Sequence, residues 1–234
     1  MQKTIGILGG MGPAATVELF SRIVNNTKAK SDHDHAKVVI INDPSVPDRT
    51  RFILGEGESP VPQLKENLMR LAKAGADIAI IPCMTAHSFI SELNSNSPIP
   101  IINAIELIEK YLAKKDFNIQ KVGLLATTGS IKSGVFQNHL TKQVIIPNNK
   151  NQNMLMDILY GKEGIKAGFI NSKIIERINH IIDSLKHEGA QAVIAGCTEI
   201  GLVMNNQNSN LPVIDPISLL AEKAIELGTN VAET

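Results

Sequence analysis

Short unbroken apolar runs alternate along the chain with longer stretches in which apolar positions recur every three or four residues. The runs TIGILGG (4–10), AKVVIIN (36–42) and DIAIIP (77–82) predict strands. AATVELFSRIVNNT (14–27) predicts an amphipathic helix with Val17, Phe20, Ile23 and Val24 on its apolar face. PVPQLKENLMRLAKAGA (60–76) predicts a helix that stops at Gly75, where a glycine C-cap belongs. Strands that are apolar throughout and separated by helices imply a parallel sheet covered on both faces, and hence an α/β fold.

The second half repeats the scheme. KVGLLATTGS (121–130) parallels the first strand and its glycine turn. GAQAVIAGCTEIG (189–201) parallels GADIAIIPCMTAH (75–87), and LPVIDPISLLAEKAIELG (211–228) parallels IPIINAIELIEKYLAK (99–114). Three matched landmarks in the same order indicate internal duplication. The expected organisation is a first α/β lobe of residues 1–98 plus 212–234 and a second of 99–211, with the crossing segments IPIIN and LPVID as hinges. The duplication gives Cys83 and Cys197 equivalent places, each at the carboxyl end of a parallel strand where it turns into a helix. Open α/β sheets bind ligands at that edge.

Composition narrows the function. Lys+Arg and Asp+Glu balance at 23 each and there is no Trp, so the chain offers neither a basic surface nor a base-stacking platform for nucleic acid, and no attraction to an anionic membrane. No run approaches the roughly 18 apolar residues that span a bilayer. Two cysteines without an export signal point to a reduced, cytoplasmic protein. Their separation excludes a CxxC or zinc-finger pattern, and DHDH (32–35) reads as a solvated loop rather than a metal site. A thiol is a useful base only as its thiolate, a form favoured at helix N-termini, where both cysteines are expected. One sulfur removing a proton and another returning one from the opposite face would invert a stereocentre with no cofactor and no metal.

The chain resembles the aspartate/glutamate racemases, and specifically their aspartate racemase branch. The resemblance spans essentially the whole sequence and rests on GILGGMGP (6–13), PSVPDRT (44–50), PCMTAH (82–87), LLATTGS (124–130), YGKEGIKAG (160–168) and GCTE (196–199). It implies two lobes related by a pseudo-twofold, each a parallel sheet flanked by helices. It implies Cys83 and Cys197 as catalytic acid/base thiols, with Arg49 and Lys166 holding substrate carboxylates. Met11, Gly12, Thr85, Thr127, Ser130 and Thr198 would line the carboxylate at the reacting carbon. Backbone N–H and hydroxyl donors suit the charge that develops there, and an Arg fork suits a second carboxylate. The substrate implied is an acidic amino acid, aspartate before glutamate, and the assembly a homodimer.

Two positions depart from the branch. Met84 stands where Asn is usual between Cys and Thr, which puts substrate choice in question. Asp43 replaces a commoner Asn and would either orient Arg49 or repel an acidic substrate. Glu199, beside Cys197, is expected to raise its pKa and keep it protonated at rest. Three other readings stand beside the first: a glutamate or broad-specificity racemase, a non-catalytic dicarboxylate-binding homologue, and a dinucleotide-binding enzyme. The last comes from Gly10-Met-Gly12-Pro-Ala-Ala15, a GxGxxG/A pattern with Asp43 in the place of the ribose-binding acid.

Overall fold

The computed structural model describes residues 2–114 and 118–229. In chain order the elements are β1 (Ile5–Gly9), α1 (Pro13–Asn26), β2 (Val38–Asn42), α2 (Arg49–Leu54), α3 (Val61–Lys73), β3 (Ile78–Ile80), α4 (Ile90–Asn94) and α5 (Ala104–Leu112). They continue as β4 (Lys121–Leu124), α6 (Thr128–Ser133), β5 (Gln143–Ile145), α7 (Asn149–Tyr160), α8 (Ser172–His187), β6 (Ala192–Ile194), α9 (Thr198–Val203), β7 (Val213–Ile214) and α10 (Pro216–Gly228). Short 3-10 turns lie at Asp32–Asp34, Met84–Phe89 and Ile165–Ala167.

Two compact units divide the chain: Met1–Ala104 with Ile217–Thr234, and Ile105–Pro216. The first holds a parallel sheet ordered β2-β1-β3. Its central strand, IGILG, is buried along its whole length, which explains the unbroken apolar run. Beyond β3 the segment around Ile101 adds an isolated parallel bridge, with Ala79 N–H donating to Pro100 O (2.8 Å) and Ile102 N–H to Ala79 O (2.9 Å). The second unit holds a parallel sheet ordered β5-β4-β6-β7. There Val193 N–H donates to Pro212 O and Ala195 N–H to Ile214 O, both at 2.9 Å. The two sheets therefore repeat one topology, with residues 100–102 doing for β3 what β7 does for β6. These bonds keep each crossing segment with the sheet it extends. The unit boundaries fall after Ala104 and Pro216, a few residues beyond the expected 98/99 and 211/212.

Helices cover the sheets with their apolar stripes. α3 buries Val61, Leu64, Asn67, Leu68 and Leu71. It ends as the sequence expects, with Gly75 at φ 90° and the Ala76 N–H returning to Leu71 O. α8 buries Ile174, Ile178, Ile181, Ile182 and Leu185 against the second sheet. α1 differs from expectation. Its buried positions are Ala15, Thr16, Leu19 and Ile23, while Val17, Phe20 and Val24 are 68%, 38% and 38% exposed. The helix carries two adjacent apolar stripes. The one with the smaller side chains at its start packs inward, because Thr16 must sit under the turn and accept from Gly10 N–H (2.9 Å).

That turn fixes the start of α1. Gly10 has φ 96°, and a Cβ there would lie 2.3 Å from the backbone of Asp43. Only glycine combines the left-handed conformation with this approach to the end of β2. Gly10→Ala is therefore expected to lower stability by about 2 kcal/mol or more, read as a fall in the urea midpoint. An unchanged midpoint would refute the assignment.

Candidate active site

In the first unit Cys83 follows β3 and caps the 3-10 turn Met84–Phe89. It is a free, buried thiol, and Met11, Val46 and Cys83 share one apolar cluster. The structure thus gathers the Met11–Gly12 turn, the loop before Arg49, and Cys83 at the carboxyl edge of one sheet. Met84 and Thr85 are buried immediately beyond Cys83. Arg49 opens α2, which Asp48 caps by accepting from Arg51 N–H (2.8 Å). The buried Arg49 guanidinium donates through Nη1 to the carbonyls of Val46 (3.2 Å) and Pro47 (3.1 Å), so its own loop holds it in place.

Asp43 ties the end of β2 to α3. Its carboxylate accepts from Asn67 Nδ2 (2.7 Å), Gln63 Nε2 (2.8 Å) and the Ser45 N–H and hydroxyl. These bonds, that from Asn67 foremost, hold its pKa well below the usual carboxylate range. A carboxylate so occupied is not free to accept from a ribose. In the DHDH stretch, Asp34 accepts from the Lys30 and Ser31 N–H groups and forms a capping box. Among the described residues no cluster of three His, Cys, Asp or Glu is placed to hold a metal.

His87, one 3-10 turn past Cys83, is only 1% exposed. Its Nδ1 lies 3.0 Å from the Cys83 carbonyl, and the ring is buried. Burial pulls its pKa down to about 4, against the raising effect of the Cys83 and Ile102 carbonyls. The imidazole is therefore neutral at ordinary pH, with Nδ1–H donating to Cys83 O.

In the second unit Cys197 follows β6 and caps α9. Its N–H donates to Leu125 O (2.9 Å), which ties the β6 end to the β4 end. Thr127 caps α6, accepting from Ser130 N–H (3.2 Å), and the two hydroxyls lie 3.1 Å apart. Gln152, from α7, donates to Ala126 O (3.0 Å) and Thr128 Oγ1 (3.2 Å) at the same edge.

Glu199 organises the rest. The Cys197 thiol donates to its Oε2 (3.0 Å), as does the Thr198 hydroxyl (3.2 Å), and Lys166 forms an ion pair with Oε1. The Lys166 ammonium also sits 5.3 Å from the centre of the Tyr160 ring. Burial, then the Glu199 charge, push the Cys197 pKa well up, with Lys166 opposing. Burial likewise favours neutral Glu199 and neutral Lys166; the Lys166 charge outweighs it for the carboxyl, whose pKa falls, and Cys197 and then Glu199 outweigh it for the ammonium, whose pKa rises. Lys166, expected to await a carboxylate, already holds one. Its pairing with Glu199 and its rest on Tyr160 were not foreseen. The spacing within YGKEGIKAG was the available signal for Tyr160, whereas nothing local joins Lys166 to a residue 33 positions later.

A family model described as Asp/Glu/Hydantoin racemase matches residues 8–224. The chain belongs to the Asp/Glu/hydantoin racemase family. Racemases are isomerases, the enzyme class expected from the sequence. The broad specificity amino-acid racemase RacX of Bacillus subtilis is 23% identical over 230 residues, covering 94% of this chain and 96% of that protein. A glutamate racemase of Aquifex aeolicus is 26% identical over 156 residues, or 66% of this chain and 59% of that protein. Among solved structures, the Picrophilus torridus aspartate racemase superposes with a TM-score of 0.85 at 29% identity, covering 98% of this chain and 96% of that one. The family's fold, two parallel sheets flanked by helices, is the fold of this chain.

Two expectations follow for this family member. As pH falls below about 6.5, an unfolded imidazole binds a proton that folded His87 refuses until about pH 4. Stability is therefore lost across that window, by on the order of 3 kcal/mol in full. Urea midpoints measured from neutral pH downward should show the decline, and His87→Leu should flatten it. In a Cys83→Ser background, Cys197 should react with iodoacetamide only at strongly alkaline pH, and Glu199→Gln should move that midpoint to lower pH. A midpoint that stays or rises would contradict the role given to the Glu199 charge.

Proposed function

We propose that this chain is a cofactor-independent racemase of an acidic amino acid, with aspartate as its preferred substrate. The observation that carries the reading is the pair of free thiols, Cys83 and Cys197. Each stands three residues past the end of the equivalent strand of a duplicated sheet and each caps the turn or helix that follows, in a chain whose family model spans both. Cys83 is the base that removes the α-proton and Cys197, resting as a thiol, is the acid that returns one; the reverse reaction exchanges these roles. Arg49 and Lys166 take the substrate carboxylates. The Met11–Gly12 turn and the Thr85, Thr127, Ser130 and Thr198 hydroxyls stabilise the charge that builds on the carboxylate next to the reacting carbon. Met84 walls the site beside Cys83. The protein works on this reading as a cytoplasmic homodimer.

The likeness to an aspartate racemase at 29% identity supports aspartate. The likeness to a broad specificity racemase supports a second reading, in which Met84 relaxes the choice among amino acids.

The reduced protein should be incubated with each enantiomer of aspartate and of glutamate in D₂O, with α-proton loss followed by NMR and configuration by chiral chromatography. Deuterium incorporation with inversion, fastest for aspartate, is expected. Cys83→Ser and Cys197→Ser should each lower inversion by about a thousandfold or more, since each removes one partner of the proton transfer. Inversion retained by either variant would refute the two-thiol account.

A further inference from the structure

Glu199 is a carboxylate in a place that tolerates charge only conditionally. It is 3% exposed. Its Oε2 accepts from two neutral donors, Cys197 Sγ–H and Thr198 Oγ1–H, while its Oε1 faces the Lys166 ammonium. The other titratable groups that the neighbouring elements bring near are Tyr160 of α7, under the ammonium, and Asp215, whose carboxylate packs against Gly201 one turn along α9. Asp215 brings no positive charge, and Tyr160 offers a ring face rather than a full charge. The ionised state of Glu199 therefore depends on Lys166.

Lys166 is the more exposed member of the pair. Its side chain is 22% exposed against 4% for Glu199. It stands on a single 3-10 turn between Gly164 and Gly168, with Gly161 just before. A ligand carboxylate is the chemical equal of Glu199 as a partner for the ammonium, which rests 5.3 Å from the Tyr160 ring centre.

We propose that the Lys166–Glu199 pair is a latch opened by the substrate's distal carboxylate, and that Glu199 takes up one proton from solvent when Lys166 leaves it. This rests on the reading of Lys166 as a carboxylate-binding residue. The charges balance. Lys166 stays an ammonium and pairs with the ligand, and one solvent proton forms an O–H bond on Oε2 of Glu199. A buried carboxylate stripped of its counter-ion neutralises in this way. The direction of the hydrogen bond to Cys197 then reverses. A neutral Glu199 donates to the sulfur in place of accepting from it, and the anion that opposed the thiolate is gone. Cys197 becomes competent as a base only once a dicarboxylate is seated. Amino acids without a second carboxylate leave the latch closed, so discrimination arises in proton transfer as well as in binding.

Succinate is the probe, because it has both carboxylates and no stereocentre to invert. Its binding to the reduced wild-type protein is measured by calorimetry near neutral pH in buffers of different protonation enthalpy, with propionate as the single-carboxylate control. Uptake of about one proton per bound succinate, and none with propionate, is expected. Glu199→Gln should abolish the uptake and bind succinate about tenfold more tightly, since Lys166 no longer has an anionic competitor. Succinate binding to wild type without proton uptake, or uptake undiminished in Glu199→Gln, overturns the latch and leaves Lys166 as a carboxylate site. No binding of succinate by folded wild-type protein overturns the latch together with the reading beneath it. The wild-type buffer series decides the matter even if the variant fails to fold.

Discussion

In a parallel sheet every strand ends at the same edge, so whatever residue follows each strand is delivered to a common rim. This chain uses that constraint twice. The backbone bonds from Ala79 to Pro100 and Ile102, and from Val193 to Pro212, pin β3 and β6 at matching points four residues before Cys83 and Cys197. Cys197 N–H then bonds to the Leu125 carbonyl of the neighbouring strand end, so the sulfur's position follows from the ladder itself. The same rim receives the Gly10 turn in the first unit and the Thr127 cap in the second. Shifting either ladder by one residue would turn the strand's side chains to opposite faces and misplace the thiol with them.

On this repeated framework the two halves have been given different electrostatics. Behind Cys83 stands a neutral imidazole that binds the Cys83 carbonyl and contributes no charge. Beside Cys197 stands a carboxylate that binds the sulfur directly and is balanced by Lys166. Both His87 and Glu199 are buried ionisable groups, and burial penalises charge in each. His87 meets the Cys83 carbonyl and stays neutral. Glu199 meets an ammonium and stays charged. Under the proposed two-thiol reaction, these unequal surroundings of two chemically identical side chains would set which thiol rests protonated.

Much of the local structure was written in local sequence. The α/β class, the end of α3 at Gly75, the matched strands of the two halves and the places of both cysteines follow from period, turn residues and repetition, all of which act over a few positions. The inward face of α1 did not follow. Val17, Phe20 and Val24 form as good an apolar stripe as Ala15, Leu19 and Ile23, and the choice between them fell to Thr16 under the Gly10 turn. Asp43 read as a ligand-facing acid because sequence shows where it ends a strand, but not that Gln63 and Asn67 of α3 reach back to it.

The sequence by itself determined the order of elements, the duplication, and which residue types stand at each strand end, because these depend on neighbours along the chain. It also placed Glu199 two residues from Cys197, close enough to read an effect on the thiol. Only the tertiary structure decided who balances Glu199, since Lys166 lies 33 residues away and meets it through the packing of a 3-10 turn against α9. Electrostatic pairing is set by distance in space and by burial, and neither quantity is carried by the spacing of letters in a chain.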